Sequence, residues 1–207
     1  MMGLATAHTG EFVATGVIHY LSLHPEYQER ILEEVKEEME KYGVSEITLQ
    51  VAKDLKFTEQ CLLETLRILP LLPFSMRVCT EDFQVPGTQY RLKKGDRLIF
   101  DSTSIQRDPK YFKNPYKFDP DRFSPQNLNS ITQDAFVAFG VGPRKCPGQQ
   151  VGLLRTTIFI ASLLSEYKLN LAHTRNKLNS RLNPASWLHS IKGELLVDAI
   201  PRKKAAF

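Results

Sequence analysis

Apolar positions in the first 23 residues follow no single stripe. Leu4, Phe12, Val13, Val17, Ile18, Leu21 and Leu23 cover much of the circumference of a helix over residues 3–23, the pattern of a segment buried inside a larger protein. Pro25 suits the first turn of a second helix, with Glu26 beside it. In that helix Ile31, Val35 and Met39 recur at helical spacing, while Glu33, Glu34, Glu37 and Glu38 take the wet face, and Gly43 is a stop signal. A further helix is predicted over 58–69, with Leu62, Leu63, Leu66 and Leu69 inward and Pro70 and Pro73 ending it. Residues 80–105 read as short strands with turns at Pro86-Gly87 and Lys94-Gly95. Residues 106–135 are proline-rich, polar and aromatic and predict an irregular course with short helices. A helix over 149–166 carries Val151, Leu154, Ile158 and Ala161 on one stripe, and the tail carries a hairpin signal, with Trp187-Leu188 and Leu195-Leu196-Val197 flanking Lys192-Gly193. This order predicts a mainly α fold with a small antiparallel β-sheet.

Composition narrows the class only slightly. The chain has 207 residues, enough for one sizeable domain; 42% are hydrophobic and 24% charged, and a net charge of +4 makes no case for nucleic acid. Three cysteines, Cys61, Cys79 and Cys146, form no disulfide framework and suit a reducing compartment. No apolar run is long enough to span a bilayer, and the first residues lack the basic and apolar regions of a signal peptide.

Residues 139–148 change the picture. Phe139-Gly140-Val141-Gly142-Pro143-Arg144-Lys145-Cys146-Pro147-Gly148 fits the spacing F-x-x-G-x-R-x-C-x-G. A lone cysteine near glycines is ordinarily a free thiol in a turn. Five fixed positions at average residue usage should coincide in fewer than about one chain of this length in ten thousand. Gly142 and Gly148 let the backbone approach a planar ring, and the amides of a helix starting behind the cysteine, with Arg144 and Lys145, favour a thiolate ligand. Glu64 and Arg67 lie one helical turn apart among apolar residues, so they share a face. An exposed pair of this kind contributes under about 1 kcal/mol.

With this loop the chain resembles the cytochrome P-450 superfamily, in its C-terminal portion, and most of all the insect microsomal branch, through the stretch from Arg77 to Thr88 and the wording of the loop. The resemblance implies that Cys146 is the axial thiolate ligand of haem b, that Arg144 and Arg77 contact haem propionates, that Phe139 packs near the sulfur, and that Gly142 and Gly148 join them in binding the cofactor. It implies that Glu64 and Arg67 form a structural ion cluster with Arg122 of Phe118-Asp119-Pro120-Asp121-Arg122-Phe123. Phe74, Ser75 and Met76, with Trp187 and Leu188, fall where the family lines its substrate pocket. Ala5-Thr6-Ala7-His8-Thr9-Gly10 falls on the family's A-G-x-[D/E]-T-T. Thr9 matches the threonine that helps deliver protons during oxygen activation, and His8 stands where most members have an acid. As an imidazole titrating near neutral pH, His8 is a candidate proton relay, or else a satisfied helix histidine.

The implied activity is monooxygenation of an apolar small molecule such as a xenobiotic, lipid or steroid-like hormone. Electrons would come from NADPH through NADPH–cytochrome P-450 reductase, with cytochrome b5 a second candidate donor. Lys113, Lys117 and Lys145 are candidates for a basic face toward an acidic donor, or simply a solvated surface. The expected location is the cytosolic face of the endoplasmic reticulum membrane, through an N-terminal anchor absent from these 207 residues along with the N-terminal half of the fold. Two other readings stay open: a haem-thiolate isomerase or dehydratase needing neither oxygen nor reductase, and a non-catalytic truncated product.

Overall fold

The computed structural model describes residues 2–132, 134–171 and 195–202, with the side chains of 2–8 and 130 left out. Helix α1 (Met2–Leu23) runs into α2 (Pro25–Tyr42), followed by α3 (Leu49–Asp54) and α4 (Lys56–Ile68). Strands β1 (Phe74–Val78), β2 (Phe83–Gln84), β3 (Arg91–Leu92) and β4 (Arg97–Asp101) come next, then the short α5 (Ser102–Gln106). An irregular stretch with 3-10 turns at Pro120–Phe123, Leu128–Ser130 and Gly142–Arg144 leads to α6 (Gln149–Glu166), β5 (Tyr167–Leu171) and β6 (Val197–Pro201).

The core lies where α1, α4, α6 and β5 meet. Val17, Leu21, Leu62, Ile160, Ala161 and Leu164 are all buried there. At Gly16 helix α1 lies tight against α4: a methyl group at its position would stand 3.0 Å from Thr65 Cγ2. Helix α2 buries Gln28, Ile31, Val35 and Met39, the stripe expected from its periodicity. It ends on Gly43 at φ 63°, where Gly43 N donates to Glu40 O and Val44 N to Met39 O, both at 3.1 Å. Gln28 ties α2 to two neighbours. Its Nε2 donates to Leu21 O and Leu169 O at 2.7 Å each, and its Oε1 accepts from Leu169 N at 2.9 Å.

Several elements differ from the sequence reading. Helix α3 was not expected; Thr48 Oγ1 caps it by accepting from Val51 N at 3.3 Å. Helix α4 begins two residues earlier than expected because its cap comes from another helix. Glu34 of α2 accepts from Phe57 N at 2.5 Å, Thr58 N at 3.0 Å and Thr58 Oγ1 at 2.8 Å. Burial pushes the Glu34 carboxyl above its ordinary value, and these bonds pull it back. The first strand starts at Phe74 rather than near residue 80, since pairing with β4 from Phe74↔Asp101 to Val78↔Arg97 fixes it. The turns at Gly87 (φ 72°) and Gly95 (φ 94°) fall at the positions read from sequence. Helix α6 has the expected span but a different inner face. Leu153, Thr156, Thr157, Ile160, Ala161 and Leu164 are buried, and Val151 is 71% exposed. A helix apolar on most sides does not specify its face by periodicity alone.

Among the described residues β6 pairs antiparallel with β5, in register from Tyr167↔Pro201 to Leu171↔Val197. Trp187, Leu188 and the turn signal at Lys192-Gly193 lie outside the described residues. No helix among the described residues is long and apolar enough to cross a membrane.

Candidate active site

Two features stand out, one buried and one exposed. The buried one is the carboxylate of Glu64. Glu64 and Arg67 sit one turn apart on α4 with side chains 0% exposed. Arg67 Nε donates to Glu64 Oε2 at 2.7 Å and Arg67 Nη2 to Oε1 at 2.9 Å, a forked pair. Oε1 also accepts from Asp119 N at 3.0 Å and from Arg122 Nε at 3.2 Å. Arg67 spends its remaining donors on backbone: Nη1 on Gln106 O at 2.8 Å and Nη2 on Lys117 O at 3.4 Å. Arg122 Nη2 donates to Asn114 O at 2.9 Å. Burial pushes the Glu64 carboxyl above its ordinary value, opposed by Arg67, the Asp119 amide and Arg122. Phe118, between the two backbone contacts, stacks on Tyr20 of α1 with centroids 4.4 Å apart and planes 2° from parallel. The cluster therefore pins α4 to the irregular stretch, and the ring pair joins both to α1.

The exposed feature is the Cys146 loop. Residues 140–148 are exposed without exception. Gly140 (φ 74°) and Gly142 (φ 72°) take left-handed backbone that a side chain would strain. Cys146 N donates to Phe139 O at 2.8 Å, which closes the loop. Gly148 precedes α6, and a methyl group at its position would lie 3.9 Å from Cys146 Sγ. The sulfur thus stands beside Gly148, the residue that precedes α6. Phe139 is half-buried under the loop, while Arg144 and Lys145 are exposed.

These residues fit a haem. One exposed cysteine just before a helix start could supply a sulfur ligand to an iron. Among the described residues no group of three or more His, Cys, Asp or Glu side chains is placed to hold a metal ion. Cys61 is fully buried, and burial pushes its thiol well above the ordinary range. Cys79 Sγ donates to Glu81 O at 2.8 Å.

The remaining sequence candidates are spread more widely. Arg77 on β1 is exposed, with Nη1 on Met76 O at 2.8 Å. Strand alternation puts Phe74 and Met76 on one face of β1 and Ser75 and Arg77 on the other, so the three pocket candidates do not share a face. Thr9 is half-buried on α1; His8 lies on the same helix, with its side chain outside the described ones. Lys113, Lys117 and Lys145 are exposed, and Lys117 Nζ lies 3.7 Å from Asp119 Oδ2. Sequence reasoning missed Gln106, whose buried amide reaches both α4 and the root of the cysteine loop. Its partners are distant in sequence, and no local pattern marks it.

The family pattern described as Cytochrome P450 matches residues 4–197. "Probable cytochrome P450 6d2" of Drosophila melanogaster is 37% identical over 155 residues, covering 73% of this chain and 30% of its own length. "Cytochrome P450 6B6" of Helicoverpa armigera is 30% identical over 187 residues, covering 90% of this chain and 37% of its own length. "Cytochrome P450 6d1" of Musca domestica is 31% identical over 169 residues, covering 80% of this chain and 33% of its own length. The chain thus spans about a third of the length of the curated relatives it matches, all three of them insect proteins. Matched by the family pattern from residue 4 to residue 197, the chain belongs to the cytochrome P450 family, the haem monooxygenases with a thiolate ligand.

Proposed function

We propose that this chain is the C-terminal haem-binding part of a longer monooxygenase, with Cys146 its thiolate ligand. The observation that carries the proposal is the exposed Cys146 sulfur at the start of α6, on a loop closed by the Phe139 carbonyl. A haem held by Cys146 would supply the oxygen chemistry, in which one atom of dioxygen enters an apolar substrate and the other leaves as water at the expense of two electrons and two protons.

The protein's part follows from its own residues. Cys146 donates a sulfur ligand from the loop that precedes α6. Gly140 and Gly142 give the loop its left-handed backbone, and Phe139 packs against the hydrophobic core. Arg144 and Arg77 supply cations for propionates. Glu64, Arg67 and Arg122 hold α4 and the irregular stretch in register behind the loop and take no part in proton transfer. Thr9 and His8, on α1, supply protons. Phe74, Ser75 and Met76 contribute to a substrate pocket with Trp187 and Leu188.

The substrate class is an apolar small molecule, such as a xenobiotic, lipid or steroid-like hormone. The electron source is NADPH through its reductase, with cytochrome b5 as a second donor, at the endoplasmic reticulum membrane. The similarity to insect cytochrome P450 proteins supports the haem monooxygenase part of this reading. The test is reconstitution of the full-length protein with haem, reductase and NADPH. Oxygenated product that requires NADPH, reductase and oxygen together is expected. Turnover that proceeds without oxygen or reductase would overturn it in favour of an isomerase or dehydratase.

A further inference from the structure

The root of the Cys146 loop is held by one buried side chain. Gln106 ends α5 and is 0% exposed. Its Nε2 donates to Leu66 O and Arg67 O, each at 3.1 Å, at the end of α4. Its Oε1 accepts from Val137 N at 2.9 Å. Its own carbonyl accepts from Arg67 Nη1 at 2.8 Å. From Val137 the bonding continues into the loop: Gly140 N donates to Val137 O at 2.9 Å, and Cys146 N to Phe139 O at 2.8 Å. Among the described residues no other side chain hydrogen-bonds to the backbone of residues 135–148.

We propose that Gln106 is a positioning residue for Cys146: it sets the loop's register against the buried Glu64–Arg67–Arg122 cluster and so fixes where the sulfur stands. The inference rests on the reading of Cys146 as the iron ligand. The chemistry of the amide makes it specific. Two N–H donors and one acceptor on a rigid plane meet two carbonyls and one N–H. A flipped amide would set its NH2 against the Val137 N–H and its oxygen against two carbonyls, so only one orientation is satisfied. An apolar residue of similar size would leave two buried carbonyls and one amide without that partner. The cluster is rigid because every member is multiply bonded, and Gln106 is the side chain that carries this rigidity to the loop.

The experiment compares wild type with Gln106→Leu and Gln106→His. Amide hydrogen exchange on the 207-residue chain should show Val137, Gly140 and Cys146 opening at least about tenfold faster in Gln106→Leu, with Ile31 and Val35 of α2 within about twofold of wild type. Gln106→His keeps one donor and one acceptor and should hold the loop within about threefold of wild type. In the full-length, haem-loaded protein, Gln106→Leu should lower the thiolate-ligated fraction of the ferrous carbonyl at least about twofold, and Gln106→His should restore it. Wild-type protection at Val137 and Cys146 in Gln106→Leu would overturn the proposal. Should that variant not fold, Gln106→Asn carries the same expectation, because its amide is one methylene too short to reach both sides. The exchange arm needs no haem. A wild-type protein without a thiolate band would therefore count against Cys146 as ligand and leave the exchange result to judge Gln106.

Discussion

Replacing Glu64 by alanine should be among the most damaging single changes in the chain, and the structure sets the size of the effect. Two carboxylate oxygens accept four hydrogen bonds, from Arg67 Nε, Arg67 Nη2, Asp119 N and Arg122 Nε. Were this an exposed pair, its loss would cost under about 1 kcal/mol. Here both Glu64 and Arg67 are 0% exposed and Arg122 is 12% exposed. Removing the carboxylate leaves a buried guanidinium with only the Gln106 and Lys117 carbonyls as hydrogen-bond acceptors, a change that costs about 3–5 kcal/mol. The assay is the urea midpoint of the chain, followed by far-ultraviolet circular dichroism. A paired substitution makes the reasoning sharper. Glu64→Leu with Arg67→Met removes both charges and keeps most of the volume, so it should recover at least about half of the loss, since the penalty comes from an orphaned charge. A cost for Glu64→Ala below about 1 kcal/mol, or a double variant worse than the single one, would refute the account.

Two further sites, His19 and Gly16, carry definite expectations. His19 is buried with no hydrogen-bond partner for Nδ1, and burial lowers its pKa from 6.5 to about 4. The unfolded chain therefore binds the extra proton first, and stability falls as pH drops from about 6.5 toward 4. His19→Leu should flatten that part of the stability–pH curve relative to wild type, and an unchanged slope would count against it. Gly16→Val should destabilise the chain by about 1–3 kcal/mol through overpacking against the Thr65 methyl, which is fixed because Thr65 Oγ1 donates to Cys61 O at 2.8 Å. Adding Thr65→Ser, which removes that methyl, should return part of the loss; no recovery would place the strain elsewhere.

Much of the helical frame was legible because periodicity is local. The Ile31–Val35–Met39 stripe, the Gly43 stop and the span of α6 all follow from neighbouring residues. What was missed depends on partners far along the chain. The start of α4 is set by Glu34, 23 and 24 positions away, and β1 by its pairing with β4. The inner face of α6 is set by contacts with α1 and α4. The site divides the same way. Glu64 and Arg67 are one turn apart, so their pairing is visible in sequence; Arg122, 58 positions from Glu64, came only through family resemblance. Gln106 had no signal, since its side-chain partners lie 40, 39 and 31 positions away. The loop cysteine was legible because glycines and a helix start are written next to it.

The most direct test of the central claim is the absorption spectrum of the ferrous carbonyl in the full-length, haem-loaded protein, for wild type and Cys146→Ala. The red-shifted Soret band of thiolate ligation is expected in wild type and its complete loss in Cys146→Ala, with Cys61→Ala and Cys79→Ala retaining it. Survival of that band in Cys146→Ala would contradict the assignment of Cys146 as the iron ligand.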